Sequence, residues 1–355
     1  MGPRVNGHGL PAAILRGNGY TVVEDASLEG RNTFRVPARA ALLIDVQRPE
    51  ALGEVLAFPY LGDRPLLVLG EGSNLLFTRD WPGVVLGISA RGMRILDDDG
   101  EAATVRVEAG ESWNDFVRWS LARGFVGLEN LVLIPGTVGA APIQNIGAYG
   151  REVREFIVAV EAFDRQTRQL VRLGNADCAF GYRDSLFKRA LDRYLVTAVE
   201  FRLPHRGELL TAYAGIAEEL VSMGVAPSAL AVAEAVARLR TRKLPNPALI
   251  GNAGSFFKNP VLDRAQAEAL KALHPGLPVY PAGEGHAKLS AAWLIEAQGF
   301  KGLREGDAGV SEQHALVLVN HGRARGAEIL ALAERIRDAT RMRFGIELEP
   351  EPRVL

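Results

Sequence analysis

The stretch Ile134-Pro135-Gly136-Thr137-Val138-Gly139-Ala140-Ala141-Pro142-Ile143-Gln144-Asn145-Ile146-Gly147-Ala148-Tyr149-Gly150 decides the fold. It carries four glycines, three alanines and two prolines. Its backbone is therefore pre-set and nearly free of side-chain bulk. A large flat ligand can lie against such a surface, and Gln144 and Asn145 offer paired donors and acceptors for ring edges and phosphates. A second loop lies upstream, Leu69-Gly70-Glu71-Gly72-Ser73-Asn74-Leu75-Leu76-Phe77, directly after an apolar run. Its two glycines let successive N–H groups point the same way, a nest for phosphate oxygens, and Ser73 and Asn74 add side-chain hydrogen bonds. It is not the Rossmann fingerprint, because the third glycine and the following helix are missing. Taken singly, each loop also reads as a ligand-free turn or crossover. Two in one chain favour a dinucleotide cofactor.

Working outward, apolar runs with flanking breakers predict strands over residues 41–46, 65–69, 83–88, 93–96 and 104–107, and a helix over 49–58. Asp97-Asp98-Asp99-Gly100 is a turn signal between two of these strands. Ser112 caps a helix whose Trp113, Phe116, Val117 and Leu121 share one face, with Gly124 closing it. Further strands are expected at 156–163 and 194–201. Near 211–216 the pattern changes, and helices are expected at 228–240, 263–273, 288–298 and 327–343. A strand carrying Ser255 and another at 315–320 lie between them, and the chain is expected to end in a strand over 345–349. The first thirty residues are Gly-rich and read as an irregular extension, and a domain boundary is expected near 225.

The chain has 355 residues, 48% apolar and 23% charged, with a formal net charge of -1. No global field draws nucleic acid or anionic lipid, so an anionic substrate must be met by local cations. The single cysteine, Cys178, excludes an intrachain disulfide. No apolar run approaches transmembrane length and no signal-peptide block opens the chain, so the expectation is a cytoplasmic protein. The six histidines show no metal-ligand spacing, and neither a paired-Cys nor a Walker pattern is present, which argues against a metalloenzyme or a P-loop nucleotidase.

Several residues suit chemistry. In Gly251-Asn252-Ala253-Gly254-Ser255-Phe256-Phe257-Lys258-Asn259-Pro260, a hydroxyl stands between small residues and two aromatics, a setting for proton delivery at a pocket floor. The plainer reading is a Gly turn entering a core strand. Phe180-Gly181-Tyr182-Arg183-Asp184-Ser185 places a guanidinium in a tight turn, either to fork onto a carboxylate or to pair with Asp184 at the surface. Glu347, Glu349 and Glu351 alternate, as on one solvated strand face, unless Pro350 and Pro352 turn Glu351 into a pocket. Lys243 precedes a rigid Leu244-Pro245-Asn246-Pro247 turn. Lys288 is expected to begin a helix, where the macrodipole would call for an anionic partner.

These motifs occur together and in order in a known family. LGEGSNLLF, GLENLVLIPGTVGAAPIQNIGAYG, FGYRDSLFK, RTRKLPNP, GNAGSFFKNP, KLSAAWLI and LEPE cover nearly the whole chain, from about Asn32 to Arg353. The chain resembles the UDP-N-acetylenolpyruvoylglucosamine reductase (MurB) family, in its first type with a substrate-closing tyrosine loop. The resemblance implies an α+β fold: a bipartite FAD-binding unit of the vanillyl-alcohol-oxidase (PCMH) type and a smaller α+β substrate-binding domain. It divides the chain into an extension (1–30), two FAD-binding subdomains (31–100 and 101–225), a substrate domain (226–344) and a C-terminal strand returning to the flavin unit (345–355).

The resemblance further implies FAD as cofactor and NADPH as co-substrate. The substrate would be UDP-N-acetylglucosamine enolpyruvate and the product UDP-N-acetylmuramate, a peptidoglycan precursor, made by a monomer without nucleic-acid or membrane partners. It implies Ser255 as proton donor to C2, with Arg183 and Glu351 stabilising charge on the enolpyruvyl carboxylate. Gly70, Glu71, Gly72, Ser73, Asn74, Pro135, Gly136, Thr137, Gly139, Ala140, Gln144, Asn145, Gly147, Ala148 and Tyr149 would hold the cofactor. Tyr213, Lys243, Asn259 and Lys288 would hold the substrate. Two positions depart from the family pattern: His314 stands where an amide is expected, and Pro352 where an apolar residue is expected. Competing readings are another flavin oxidase on the same scaffold and a silent nucleotide-sugar sensor.

Overall fold

Two five-stranded sheets frame the molecule in the computed structural model, which describes residues 14–62, 64–213 and 215–355. The first sheet runs Ile14–Gly17, Tyr20–Ser27, Arg39–Val46, Trp81–Ile88, Leu66–Val68. Arg39–Val46 and Trp81–Ile88 are its parallel centre. Their side chains alternate between two cores, as the pleat requires. Leu42, Ile44, Val84 and Leu86 face one core, and Leu43 and Val85 face the other.

Residues 14–27 correct the expectation of an irregular extension. They form an antiparallel hairpin that adds two strands to the sheet edge. Ile14 and Leu15 are 62% and 58% exposed, so an edge strand here lacks the apolar alternation that marks buried strands. The part of that expectation on residues 1–13 lies outside the described residues. The helix expected over 49–58 is also corrected. It shrinks to a 3-10 turn and Leu52–Val55, because Gly53 weakens it and Pro59 bars its continuation.

The second sheet is wholly antiparallel and runs Gln169–Gly174, Ile157–Asp164, Tyr194–Pro204, Ala102–Glu108, Met93–Asp98. Gln169–Gly174 was missing from the sequence reading because it is an edge strand with no buried side chain. The helix Trp113–Ala122 covers one face, and the Ser112 hydroxyl accepts from Asp115 N. Phe116 meets Phe201 with ring centroids 4.7 Å apart, and Trp113 Nε1 donates to Leu131 O at 2.8 Å. The opposite face carries ion pairs: Arg106 forks onto Glu161 and Arg172 onto Glu200.

Ile216–Met223 and Ala229–Lys243 pack into this same second core through Ile216, Leu220, Val232, Val236 and Leu239. The boundary expected near 225 therefore falls inside one packed unit, and the chain leaves it only after Lys243. The division at 100 is likewise late, since Met93–Asp98 belongs to the second sheet.

The remaining residues form a smaller α+β unit with two three-stranded sheets and the helices Arg264–Leu273, Ala291–Glu296 and Gly326–Phe344. Phe256, Leu316, Leu318, Ile329 and Ile336 join the first sheet's other face in one core. Gly251 sits at that junction, where an added Cβ would lie 2.2 Å from Phe34 O. The helix expected from 288 starts at Ala291, because the Ser290 hydroxyl accepts from Trp293 N and caps it there. The strand expected over 345–349 is absent. Ile346 and Leu348 alternate with Glu347 and Glu349 because the two apolar side chains dock into the core, not because a ladder forms. The strand comes later, at Arg353–Val354, parallel to Leu75–Leu76 in the loop region of the first unit.

Phe201→Ala empties the centre of the aromatic cluster on the second sheet and is expected to destabilise the protein by about 3–5 kcal/mol. A urea titration followed by tryptophan fluorescence checks this. A loss under about 1 kcal/mol would mean that the cluster does not hold the sheet to its helix.

Candidate functional site

The two glycine-rich loops are fastened to each other. Ser73 Oγ donates to Pro135 O (3.2 Å), Gly136 N donates to Glu71 Oε2 (3.1 Å), and Asn74 Nδ2 donates to Gln144 Oε1 (2.5 Å). Glu71 is thereby engaged in joining the loops. Close packing demands glycine at two points: a Cβ on Gly72 (φ +66) would meet Arg31 O at 2.1 Å, and one on Gly139 would meet Ala109 Cβ at 2.5 Å. Among the described residues, none of the backbone N–H groups of Gly70, Glu71, Gly72, Ser73 and Asn74 donates to a backbone carbonyl. Such a row of free N–H groups is an anion cradle.

The loops border a cleft of about 640 Å³. Gly70, Glu71, Gly72, Ser73, Asn74, Pro135, Gly136, Thr137, Gly139, Ala140, Gln144 and Gly147 all line it, and so do Ser255, Arg183 and Glu351. These last three come from three distant parts of the chain.

Ser255 stands on an extended segment set by an Asx turn, in which Gly254 N donates to Asn252 Oδ1 (3.0 Å). It is held by an isolated bridge to Val317, not by a regular strand, and Phe256 N donates to Leu316 O (2.7 Å). Phe256 and Phe257 are buried on either side of the backbone and fix it. On the other edge, Glu351 N donates to Phe256 O (2.8 Å) and Lys258 N to Glu349 O (2.9 Å). Ser255 and Glu351 thus ride on adjacent extended segments.

Arg183 has φ +54, a left-handed conformation that non-glycine residues seldom adopt. Lys188 Nζ donates to its carbonyl (2.8 Å), and its own Nη2 donates to Gly147 O (2.9 Å). Its Nε lies 3.2 Å from Glu351 Oε1. Asp184 pairs with Arg189 instead, so the surface Arg183–Asp184 pair does not form. Burial pushes the Glu351 carboxyl above the usual glutamate range, with Arg183, Lys188 and Lys258 opposing it in part. Burial also lowers the Lys188 pKa, helped by the neighbouring Lys258. The three acidic residues meet different cations: Glu347 pairs with Arg337, Glu349 with Lys258 and Glu351 with Arg183, and the last two pairs line the cleft.

Other residues expected at the site are placed differently. Asn145 is fully buried behind the loop. Its amide donates to Glu152 Oε2 (3.1 Å) and Gly181 O (2.9 Å), and its Oδ1 accepts from Arg154 N (3.1 Å). It ties the second glycine-rich loop to the Arg183 turn and has no side-chain hydrogen left to offer a ligand. Ala148 pairs with Arg151 in a two-residue ladder outside the cleft wall. Tyr149 packs against Tyr213, ring centroids 5.3 Å apart, and neither lines the cleft wall. Lys243 ends its helix exposed, next to His314. Asn259 Oδ1 accepts from Ala291 N (3.0 Å). Lys288 belongs to the strand His286–Leu289, with its Nζ over the Tyr182 ring at 5.5 Å, so no helix macrodipole acts on it. Tyr182 neighbours Arg183, which puts Lys288 at the rim of the site.

At the two departures, His314 Nδ1 accepts from Leu316 N (3.2 Å), and burial together with Lys243 lowers its pKa. Pro352 is buried and lines the cleft, while Arg353 N and Asn74 O hold the chain beyond it (3.0 Å). Sequence reading missed Lys188, Lys258 and Arg240, all of which line the cleft. Arg240 Nε is buried with no partner. All three sat within the motifs already quoted, Lys188 in FGYRDSLFK, Lys258 in GNAGSFFKNP and Arg240 at the start of RTRKLPNP, so the signal was there. Arg240 is one of four cations in Arg238 to Lys243, and only packing singles it out.

Residues 246–355 match the family model for the UDP-N-acetylenolpyruvoylglucosamine reductase C-terminal domain, and residues 40–174 match a FAD binding domain. A protein named UDP-N-acetylenolpyruvoylglucosamine reductase from Xanthomonas axonopodis pv. citri is 56% identical over 340 residues, 95% of this chain and 97% of its own length. One of the same name from Xanthomonas euvesicatoria pv. vesicatoria is 55% identical over 339 residues, again 95% and 97%. The crystal structure of UDP-N-acetylenolpyruvylglucosamine reductase (MurB) from Thermus caldophilus covers 97% of this chain and 99% of its own, with TM-score 0.66 and 27% identity.

The raised Glu351 pKa fixes a sign. The folded state holds this proton more tightly than the unfolded chain, so stability falls as pH rises from the ordinary glutamate range (about 4.3) toward the folded value. Glu351→Gln is expected to match the wild type below that range and to gain on it above. Urea midpoints across the pH range check this, and parallel curves would refute it.

Proposed function

The chain belongs to the UDP-N-acetylenolpyruvoylglucosamine reductase family, and from that premise we propose how its cleft reduces the enolpyruvyl group of UDP-N-acetylglucosamine enolpyruvate to the lactyl ether of UDP-N-acetylmuramate. The single observation that carries the reading is that Ser255 and the Arg183–Glu351 pair line one cleft together with the two glycine-rich loops. When bound there, FAD supplies two-electron transfer from NADPH to the enolpyruvyl double bond. The free N–H row at residues 70–74 suits the diphosphate of FAD, and the bulk-free faces of Gly136, Gly139 and Ala140 suit its flat parts.

Reduction at C3 pushes negative charge toward a carboxylate that is already an anion. Arg183, fixed by Gly147 O and Glu351, meets that charge without having to reorganise. Glu351 helps only as a donor, which requires the protonated form that its burial favours. Ser255 Oγ gives its proton to C2, whose carbanion is basic enough to take it from a well-placed hydroxyl. Lys188 and Lys258 raise the local positive potential and offset the anionic substrate. Tyr213, Lys243, Asn259 and Lys288 lie outside the wall of the cleft and reach the substrate at its rim, toward the diphosphate. The same reading makes the protein a cytoplasmic monomer of the tyrosine-loop type, serving cell-wall synthesis and division.

Ser255→Ala is expected to leave flavin reduction by NADPH intact and to slow enolpyruvyl reduction by roughly two to three decades, the scale of losing one positioned donor. Stopped-flow flavin absorbance separates the two half-reactions, and comparable losses in both would reject the proton-donor role. Arg183→Ala should fall on the same scale in the second half-reaction. For the activity itself, the purified protein should be yellow and should oxidise NADPH rapidly only when the enolpyruvyl sugar is supplied. Brisk NADPH-independent oxygen consumption with an alcohol would favour an oxidase, and no turnover at all would favour a sensor.

A further inference from the structure

Tyr149 and Tyr213 lie edge to face, yet they belong to segments more than sixty residues apart in sequence. Tyr149 ends the cofactor loop. Tyr213 is 50% exposed and lies near Tyr182, the neighbour of Arg183. One side chain joins the two segments. Asn130 is fully buried in the 3-10 turn Glu129–Leu131, and its amide nitrogen donates to Tyr149 O (3.0 Å) and to Leu210 O (3.0 Å). The turn itself is anchored, because Trp113 Nε1 from the second core donates to Leu131 O. Arg151 Nη2 adds a parallel tie to Glu208 O (2.9 Å).

An NH2 group has two hydrogens, so both carbonyls are satisfied at once. Aspartate at this position would face two carbonyls with acceptors only, and serine could serve one. Leu210 packs against Gly150, where an added Cβ would lie 2.6 Å from Leu210 Cδ2, so the segments have little room to slide. We propose that Asn130 is a positioning residue: its forked amide sets the spacing between the cofactor loop and the Tyr213 segment, and through it the affinity for the enolpyruvyl nucleotide sugar. This rests on the functional reading above and deepens it. Asn130 does not line the cleft and acts through Tyr213.

Asn130→Asp is expected to raise KM for the enolpyruvyl sugar about tenfold or more, the effect of leaving buried carbonyls unpaired. FAD content and the rate of flavin reduction by NADPH should stay at wild-type values. Trypsin should cut faster after the exposed Arg206, just upstream of the segment that Asn130 holds. The decisive measurement is a double-mutant cycle: in a Tyr213→Ala background the KM effect of Asn130→Asp should vanish. An equal KM rise in both backgrounds would overturn the proposal, as would a matching loss in flavin reduction. Should Asn130→Asp fail to fold, Asn130→Ser keeps one donor and should give a smaller KM rise, with the same cycle deciding. Absence of sugar-dependent NADPH oxidation in the wild type would instead strike the functional reading, so the two failures are distinct.

Discussion

The contact between Arg183 and Glu351 depends on how the last residues of the chain are fastened. Glu351 N donates to Phe256 O, its carbonyl accepts from Asn74 Nδ2, and Arg353 N donates to Asn74 O. Asn74 also donates to Gln144. One asparagine in the first glycine-rich loop therefore touches the second loop and the C-terminal segment, and the latter lies along the Ser255 segment. The two glycine-rich loops and the Ser255, Arg183 and Glu351 cluster share this junction. A shift of the C-terminal segment would move Glu351 relative to Ser255 and Arg183 together.

Burial gives that junction its chemistry. A glutamate 3.2 Å from an arginine in water would be a plain ion pair with a lowered pKa. Here desolvation outweighs three nearby cations, and the carboxyl keeps its proton more readily. The same enclosure depresses Lys188 and leaves Arg240 Nε without a partner. Charges held this way are poorly compensated by the protein itself, which suits a cleft that is to receive an anionic ligand. Cys178 shows the contrast: burial pushes its thiol up to about 12, with Asp177 adding to the shift, and it is a core side chain.

Rigidity elsewhere serves the same end. The left-handed Arg183 is held by Lys188 and by the Asn145 tie to Gly181, so its strain is paired with a fixed aim. Asn145 was expected to meet the cofactor, and its place is behind the cleft wall. Asn130 plays a comparable part for the Tyr149 and Tyr213 segments. In each case a buried amide uses its two hydrogens to bridge two groups, two carbonyls for Asn130 and the Glu152 carboxylate and Gly181 O for Asn145, a task that leaves no trace in local periodicity.

The sequence by itself determined the elements that depend on local physics. The central strands near 41–46 and 83–88, the Ser112-capped helix and the two bulk-free loops were legible, because alternation, capping and glycine content act over a few residues. Motif order then indicated the family. Tertiary structure decided what those rules do not reach. The exposed hairpin at 14–27 and the edge strand Gln169–Gly174 gain their ladders only from neighbours distant in sequence. Lys288 became a strand residue because Ser290 caps the helix two positions later. Glu347, Glu349 and Glu351, alike in sequence, part company because each meets a different cation in the folded chain, and of the two that line the cleft Glu349 stays exposed while Glu351 is enclosed.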